Sequence, residues 1–264
     1  MSSLYRYNRC EDTDKKWIKA GRGQGEKGEY ICWRQVHEEN YPGQTLRICN
    51  NTYNRMHQVF GIGQISLLYE YLYSNDIIDI RENIPLLPQE DTYMISSLLN
   101  IKYPRYTKSN TPKVILQDYL LTHKDGSLEA ISIRRQNSSN NIALNHIYKI
   151  QEKFWNMSEH EAKYTVKYIE DINIQRTNNL RHIFRINTDF VSLNMFLEAT
   201  QMFKSIYITT SEPVSTIARK IENQYILPPG LGINIFFYLL KKHEISYMLD
   251  EKPINLLSER ISNE

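Results

Sequence analysis

The sequence predicts a mixed α/β domain followed by a smaller helical domain. Residues up to about 172 contain short runs in which apolar and polar residues alternate, which is typical of strands, and helical spacing occurs between these runs. Beyond that point the spacing is mainly helical. A chain of 264 residues is long enough for two domains that each bury a core. We therefore predict domains at residues 1–172 and 173–264.

The composition does not indicate a function, but it predicts where in the cell the protein is located. The chain has 32 basic and 30 acidic residues, a balance that neither requires nor excludes binding to nucleic acid. Its three cysteines form no CxxC pair, so we expect reduced thiols. The first residues are polar, unlike a signal peptide, and the apolar run at 233–240 is too short to cross a bilayer. We expect a bacterial cytoplasmic protein that does not enter the membrane.

The α/β domain is predicted element by element from periodicity and turn residues. Residues 64–73 form a helix because their apolar side chains share one face, and Asp91 is placed as the N-cap of a second helix. The sequence HKDG at 123–126, between apolar runs, predicts a hairpin. Residues 46–53 and 54–60 are predicted as a strand pair or as a strand and a loop. The other predicted strands are 30–36, 77–81, 114–121, 128–136 and 164–169, and the predicted helices are 64–73, 91–99 and 142–155.

The helical domain has two interpretations. Helices are predicted at 189–204, 214–224 and 230–242, and residues 245–249 and 253–257 flank a short polar turn like the strands of a hairpin. Helices followed by a hairpin are typical of a winged helix, and a generic helical bundle is the alternative. Four basic side chains can either contact phosphate in a winged helix or lie on a solvated face. They are Arg181, Arg185, Arg219 and Lys220.

A glycine-rich basic segment, GRGQG, occupies residues 21–25. It is not a P-loop, since no GK[ST] follows it. Glycine permits both a tight turn and a close approach of the backbone to phosphate, so both interpretations stay open. The DNA-contact candidates in this segment are Arg22 and Gln24.

Several longer motifs resemble the TnsA family. GRGQG precedes YICW (30–33), and the run MHQVFGIGQISLLYEYLYSNDIIDIRENIPLLP (56–88) contains the distinctive pair DIRE and PLLP. VILQDYLLTHKDG (114–126), NHIYKIQEKFW (145–155) and KYTVKYIED (163–171) follow in the family's order. The resemblance covers roughly residues 15–172, and the last third is similar in predicted architecture only.

The resemblance implies a fold, an activity and partners. TnsA proteins are the endonuclease subunits of heteromeric transposases and cut the 5′ ends of the element. A DDE transposase, TnsB, cuts and joins the 3′ ends, and an AAA+ ATPase, TnsC, regulates the reaction. The implied fold is a restriction-endonuclease-like domain of the PD-(D/E)XK type followed by a winged helix. The implied partners are double-stranded transposon-end DNA, a TnsB-like transposase and a TnsC-like ATPase.

The family's metal site transfers poorly to this sequence. The helix Glu falls on Gln64 and the strand Asp on Asp118. The family's Gln and Lys fall on Arg134 and Gln136, or on Ser132 and Arg134 if the hairpin is two residues shorter. A shift of two residues keeps the same strand face, so periodicity does not choose between the registers.

One carboxylate, Asp118, then remains to bind Mg²⁺, and an arginine is always charged. We expect Gln64, Asp118 and the face with Ser132, Arg134 and Gln136 to converge, with Arg134 in place of the cation. Arg134 and Arg135 are further DNA-contact candidates. The carboxylates of DIRE are expected to be structural or interface groups, and the histidine at 57 to be a surface or hydrogen-bonded side chain.

These residues predict a TnsA-like transposase subunit that binds transposon ends and partner proteins, with 5′-end cleavage impaired or lost. One alternative is an active Mg²⁺-dependent endonuclease with an unusual site. The other is a free-standing DNA-binding regulator built on a decayed nuclease.

Overall fold

The computed structural model describes residues 11–50, 53–106, 110–137, 141–157, 162–185 and 193–258. The chain divides into two compact units, Met1–Ile172 and Asn173–Glu264. The polar N-terminal residues, the first cysteine and the start of the helix predicted at 189 lie outside the described residues.

The first unit is built on a mixed four-stranded sheet. The sheet order is β3-β4-β5-β6, in which the first three strands are antiparallel and β6 runs parallel to β5, and β1 and β2 pair as a separate antiparallel hairpin. This confirms the predicted mixed α/β architecture, which is compatible with a TnsA-like nuclease fold. Its elements are α1 (Glu11–Lys19), β1 (Thr45–Asn50), β2 (Arg55–Phe60), α2 (Gly61–Tyr73), β3 (Ile77–Pro85), α3 (Gln89–Leu98), β4 (Leu116–His123), β5 (Leu128–Arg134), α4 (Ile142–Met157) and β6 (Lys163–Tyr168).

Helices cover both faces of this sheet. On one face Leu120 of β4 and Ala130 of β5 pack with Ile150 and Phe154 of α4 in an apolar cluster. On the other face the hydroxyl of Tyr119 donates a hydrogen bond of 2.6 Å to a backbone carbonyl of α2. We call these the α4 face and the α2 face of the sheet.

Two local predictions in this unit are wrong. Residues 30–36 form no strand. The hydroxyl of Tyr30 and the thiol of Cys32 instead donate to the backbone carbonyl of Glu82, so their alternating burial comes from packing on β3. Asp91 is not an N-cap, because α3 already begins at Gln89 after Pro88. The HKDG hairpin is confirmed, with Gly126 at a φ of 85°.

The second unit is helical in its described part. Its elements are α5 (Ile174–Ile183), α6 (Leu193–Thr209), α7 (Val214–Tyr225) and α8 (Leu231–Lys241). Helices α6, α7 and α8 pack on one another, and α5 packs on α8. Phe203, Ile217, Ile221 and Phe236 are fully buried among them, since each helix presents apolar residues three and four positions apart.

The predicted C-terminal hairpin is wrong for the described residues. Residues 245–249 and 253–257 are not strands. The side chain of Asn179 donates to the carbonyls of Leu249 and Lys252 and accepts from the N–H of Ile254. This one amide therefore holds both segments, which are also linked by the Tyr247 hydroxyl, an acceptor for the N–H of Asn255 at 3.0 Å. The contacts between the segments thus run through side chains and not through a strand ladder, and the winged-helix fold is not confirmed. Among the described helices, none has the length and apolar character needed to span a bilayer.

Candidate functional site

The orientation of the Gln64 amide decides what this side chain can bind. Gln64 lies in the first turns of α2 and is buried. Its Oε1 accepts a hydrogen bond of 2.9 Å from the N–H of Phe60, which ends β2. Its Nε2 consequently faces the sheet and donates to Asp118 Oδ1 at 3.0 Å and to Asn83 Oδ1 at 3.2 Å. Gln64 thus offers N–H donors to the site, while its oxygen is already used.

Asp118 lies on β4, an inner strand of the sheet, and both of its carboxylate oxygens accept hydrogen bonds. Oδ1 accepts from Gln64, and Oδ2 accepts from the backbone N–H of Ile133 at 2.8 Å. Burial raises the pKa of the Asp118 carboxyl, and the donors from Ile133 and Gln64, with the charge of Arg34, offset this only in part. The predicted proximity of Gln64 and Asp118 is therefore present in the structure.

The alternation of β4 is interrupted at Asp118. Gln117 contacts Trp155 on the α4 face, and Leu120 packs there as well, whereas Asp118 and Tyr119 both contact Gln64 on the α2 face. The backbone pairing of β4 with β5 ends at Tyr119. Beyond it, side chains of β4 bond to the backbone of β5. The Gln117 amide donates to the carbonyl of Ile131, and the Asp118 carboxylate accepts from Ile133. Strand parity therefore does not predict the neighbours of Asp118.

As a consequence, the structure does not bring Ser132 and Arg134 to Asp118. Ser132 is fully buried and donates to Gln151 of α4 at 3.1 Å. Arg134 donates to the hydroxyl of Tyr164 at 2.9 Å and lies 4.3 Å from the ring centre of Tyr148. Both side chains lie on the α4 face, so the expected convergence is wrong for them.

The two remaining candidates of this segment lie beyond the end of β5. Gln136 bonds Glu170 through its backbone N–H at 3.1 Å and Asp171 through its side chain at 3.3 Å. Arg135 is exposed. Neither position is part of the contact between Gln64 and Asp118.

Arg34 is the cation whose charge acts on Asp118, and no sequence motif selects it. Its positive charge is among the influences that lower the pKa of Asp118. The guanidinium lies 4.1 Å from the ring centre of Phe60 and is paired with Glu39, to which its Nε donates at 3.0 Å. A separation of 84 residues from Asp118, with no shared motif, leaves this proximity visible only after folding.

The donor set at this position does not fit Mg²⁺. This ion takes oxygen ligands in octahedral geometry, usually with one or two carboxylates. Here Asp118 is the single carboxylate, both of its oxygens accept N–H groups, and Gln64 presents an amide nitrogen. In the part of the chain that the structure describes, no three His, Cys, Asp or Glu side chains form a group that could hold a metal.

A buried charged cluster adjoins the site and includes the glutamate of DIRE. Glu82 is fully buried, accepts from Arg55 at 3.0 Å and from the N–H of Gln58 at 2.9 Å, and lies 2.8 Å from His57 Nδ1. Burial alone would raise the pKa of Glu82, but His57 and Arg55 outweigh it and lower this pKa to about 2. Asn83 donates to the Gln58 carbonyl at 2.8 Å and so joins the cluster to the site.

The glycine-rich segment has the geometry of a turn. Gly21, Arg22, Gly23 and Gln24 all donate their backbone N–H groups to carbonyls of the protein, which removes these donors from any phosphate. The Arg22 guanidinium forms two hydrogen bonds of 2.6 Å to Glu38 and lies 4.4 Å from the ring centre of Trp17. The side chain of Gln24 is exposed.

Comparison with known proteins identifies the relatives of this chain. It is similar to the transposition protein TnsA of the transposon Tn7 from Escherichia coli, with 24% identity over 215 residues, or 81% of this chain and 77% of that protein. This chain is TnsA-like. The aligned length exceeds the whole first unit, so the similarity of the TnsA-like chain extends into its second unit. No protein-family model matches it.

Proposed function

We propose that this TnsA-like chain is a subunit of a heteromeric DNA transposase that binds transposon-end DNA and partner proteins without efficient 5′-end cleavage. The proposed partners are a TnsB-like DDE transposase and a TnsC-like AAA+ ATPase. The similarity to TnsA supports the role in transposition. The observation that supports the loss of cleavage is the Gln64 amide, which donates to Asp118 at 3.0 Å where metal binding requires a second oxygen ligand.

The side chains that β5 presents beside Asp118 support the same conclusion. Ile133 lies on the α2 face, where a Cβ added to Gly63 would come within 3.0 Å of its methyl group. Ile131 has the same parity along β5 and is fully buried. A PD-(D/E)XK nuclease needs an acid or amide and a lysine at two such positions, to bind the metal and orient water. Two isoleucines supply neither function.

The direct test is a nicking assay on duplex DNA with the full chain in Mg²⁺ or Mn²⁺. The matched control is Asp118→Asn, which keeps an oxygen to accept the N–H of Ile133 but removes the charge. We expect the unmodified chain and the control to produce the same background. Metal-dependent nicking that disappears in Asp118→Asn would contradict the proposal and would indicate an active endonuclease.

A transposition assay tests the same proposal in the assembled complex. Without 5′ cleavage the joined product stays attached to the donor, and replication then yields a cointegrate. We expect cointegrates to dominate over simple insertions in a mating-out assay with the chain's own partners. A majority of simple insertions that Asp118→Asn abolishes would contradict this. Absence of transposase and AAA+ ATPase genes beside this gene would instead favour a free-standing regulator.

A further inference from the structure

A cavity of about 440 Å³ lies between residues 102–106 and the first turns of α4 in the first unit. Sites for small molecules have volumes of about 300–1,000 Å³ and combine apolar walls with a few polar groups. This cavity, which we call the α4 cavity, has both kinds of side chain. Its wall includes Lys102, Tyr103, Arg105, Tyr106, Ile142 and His146.

The α4 cavity lies on the opposite side of the sheet from Asp118. Tyr103 belongs to the apolar cluster in which α4 packs on the sheet, so the cavity is on the α4 side. Gln64 and Asp118 meet on the α2 face. The sheet therefore separates the two places, and a group bound at Asp118 does not reach the cavity.

The charged groups around the cavity are cationic. Lys102 and Arg105 are exposed, and the Nη1 of Arg105 donates to the carbonyl of Asn110 at 2.7 Å, which positions the guanidinium. No carboxylate lines the cavity among the described residues. The chain has 30 acidic residues, yet none occurs in residues 92–117 or 130–151, the two segments that contribute the cavity wall. The α4 cavity is therefore suited to an anion.

The rest of the cavity wall is apolar or aromatic. The ring of Tyr103 stacks on that of Tyr93 with 4.2 Å between their centres, and its hydroxyl donates to the carbonyl of Lys113 at 3.1 Å. Tyr106 is half-buried. Ile142, in the first turn of α4, is 70% exposed. Burial in the core does not explain an isoleucine at this position, whereas contact with an apolar part of a ligand does.

We propose that the α4 cavity binds a mononucleotide. A phosphate monoester carries up to two negative charges near neutral pH, and arginine and lysine bind its oxygens through charged hydrogen bonds. Its contacts are Lys102, Arg105 and His146. A nucleobase has a planar face that packs on aromatic side chains whichever base it is, and here it contacts Tyr106 and Ile142. The inference does not depend on the proposed role in transposition, because the cavity is separate from the site on the α2 face.

The test is isothermal titration calorimetry of the full chain with adenosine monophosphate and with thymidine monophosphate. Adenosine and inorganic phosphate serve as partial ligands. We expect both mononucleotides to bind. Adenosine and inorganic phosphate should each bind at least about tenfold more weakly, because each can make only one of the two sets of contacts.

Two substitutions locate the binding. Arg105→Gln removes the guanidinium and should weaken binding of adenosine monophosphate by roughly 10- to 150-fold, the range for a hydrogen bond to a charged group. Ile142→Asp places a carboxylate in the cavity at an exposed position, so it should abolish binding without lowering the melting temperature. The matched control is Arg47→Gln, which removes the same charge from an exposed arginine of β1 and should leave the affinity unchanged.

Three results would overturn the inference. The first is no binding at about 1 mM mononucleotide. The second is binding that Arg105→Gln and Ile142→Asp leave unchanged. The third is equal affinity for adenosine monophosphate and inorganic phosphate, which would show that the cavity recognises no base.

A single-stranded oligonucleotide with a 5′ phosphate distinguishes a free nucleotide from the end of a DNA strand. We expect it to bind no more tightly than adenosine monophosphate does. Binding more than about tenfold tighter, and lost in Ile142→Asp, would contradict the inference by assigning the cavity to a DNA strand. These measurements leave the proposed loss of cleavage at Asp118 to its own assays.

Discussion

The substitution Gln64→Glu restores the residue expected from the TnsA resemblance, and in this structure it should destabilise the protein. The amide donates to Asp118 at 3.0 Å and to Asn83 at 3.2 Å. A glutamate would place an oxygen against both acceptors. A hydrogen bond to a charged group contributes about 1.5–3 kcal/mol, and an unsatisfied buried acceptor costs about 1–3 kcal/mol. We expect unfolding to require about 3–5 kcal/mol less at about pH 8 in metal-free buffer.

The pH dependence of this loss has a definite sign. Burial already raises the pKa of Asp118, and a second carboxyl beside it raises one pKa of the pair further. A carboxyl with a raised pKa in the folded state contributes fully below its unfolded pKa of about 4, and this stability is lost as the pH rises towards the folded pKa. Gln64→Glu should therefore be closer to the unmodified protein at about pH 5 than at about pH 8.

Urea denaturation at both pH values, with and without excess Mg²⁺ or Mn²⁺, measures the effect. The control is Gln24→Glu, which adds the same charge at an exposed side chain. Equal stability of Gln64→Glu and the unmodified protein at the higher pH would refute the hydrogen-bond argument. Recovery of the lost stability by Mg²⁺ would show that two carboxylates suffice for a metal site here.

Three further predictions concern the buried Glu82 and two turn glycines. Glu82→Gln leaves Arg55 without its counter-ion, which should cost about 3–5 kcal/mol in urea denaturation; a cost below about 1 kcal/mol would contradict the buried ion pair. Because the pKa of Glu82 is held at about 2, that difference should persist down to about pH 4 and shrink only as the pH falls from there towards 2; loss of the difference near neutral pH would contradict this sign. Gly23→Ala places a Cβ 2.2 Å from a proline ring at a φ of +78°, whereas the Cβ of Gly126→Ala, at a φ of +85°, has nothing within 4 Å. Gly23→Ala should therefore destabilise the protein more than Gly126→Ala does, by about 1–3 kcal/mol. Equal shifts of the melting temperature in the two variants would contradict this prediction.

Local patterns predicted much of the fold. The apolar spacing of α2 and the Asp-Gly turn between β4 and β5 are properties of a few neighbouring residues, and both elements form where expected. The strand predicted at residues 30–36 fails because its alternation comes from packing on β3, a segment about 50 residues away. Alternating burial has the same sequence signature whether or not a neighbouring strand pairs with it.

The residues of the candidate site were predicted in part. The part that was not predicted depends on contacts between strands. The resemblance to TnsA selected Gln64 and Asp118, which the structure brings into contact. It placed Arg134 beside them by assuming regular alternation along β4 and β5. That assumption fails because the side chains of Gln117 and Asp118, and not the backbone of β4, bond to the backbone of β5 at the end of the ladder. The alternation of apolar and polar residues in the sequence cannot predict such a change of partner.

The hydrogen bond from the N–H of Ile133 to Asp118 bears on how genomes are searched for active members of this family. The Asp118 carboxylate accepts the N–H of Ile133 at a position where β4 provides no backbone acceptor. Selection for folding alone would therefore retain the aspartate in a homologue that had lost cleavage, because a buried N–H needs an acceptor. An aspartate in this strand is therefore a poor marker of a working nuclease among divergent homologues. The identity of the helix residue facing it, amide or carboxylate, is the more informative character.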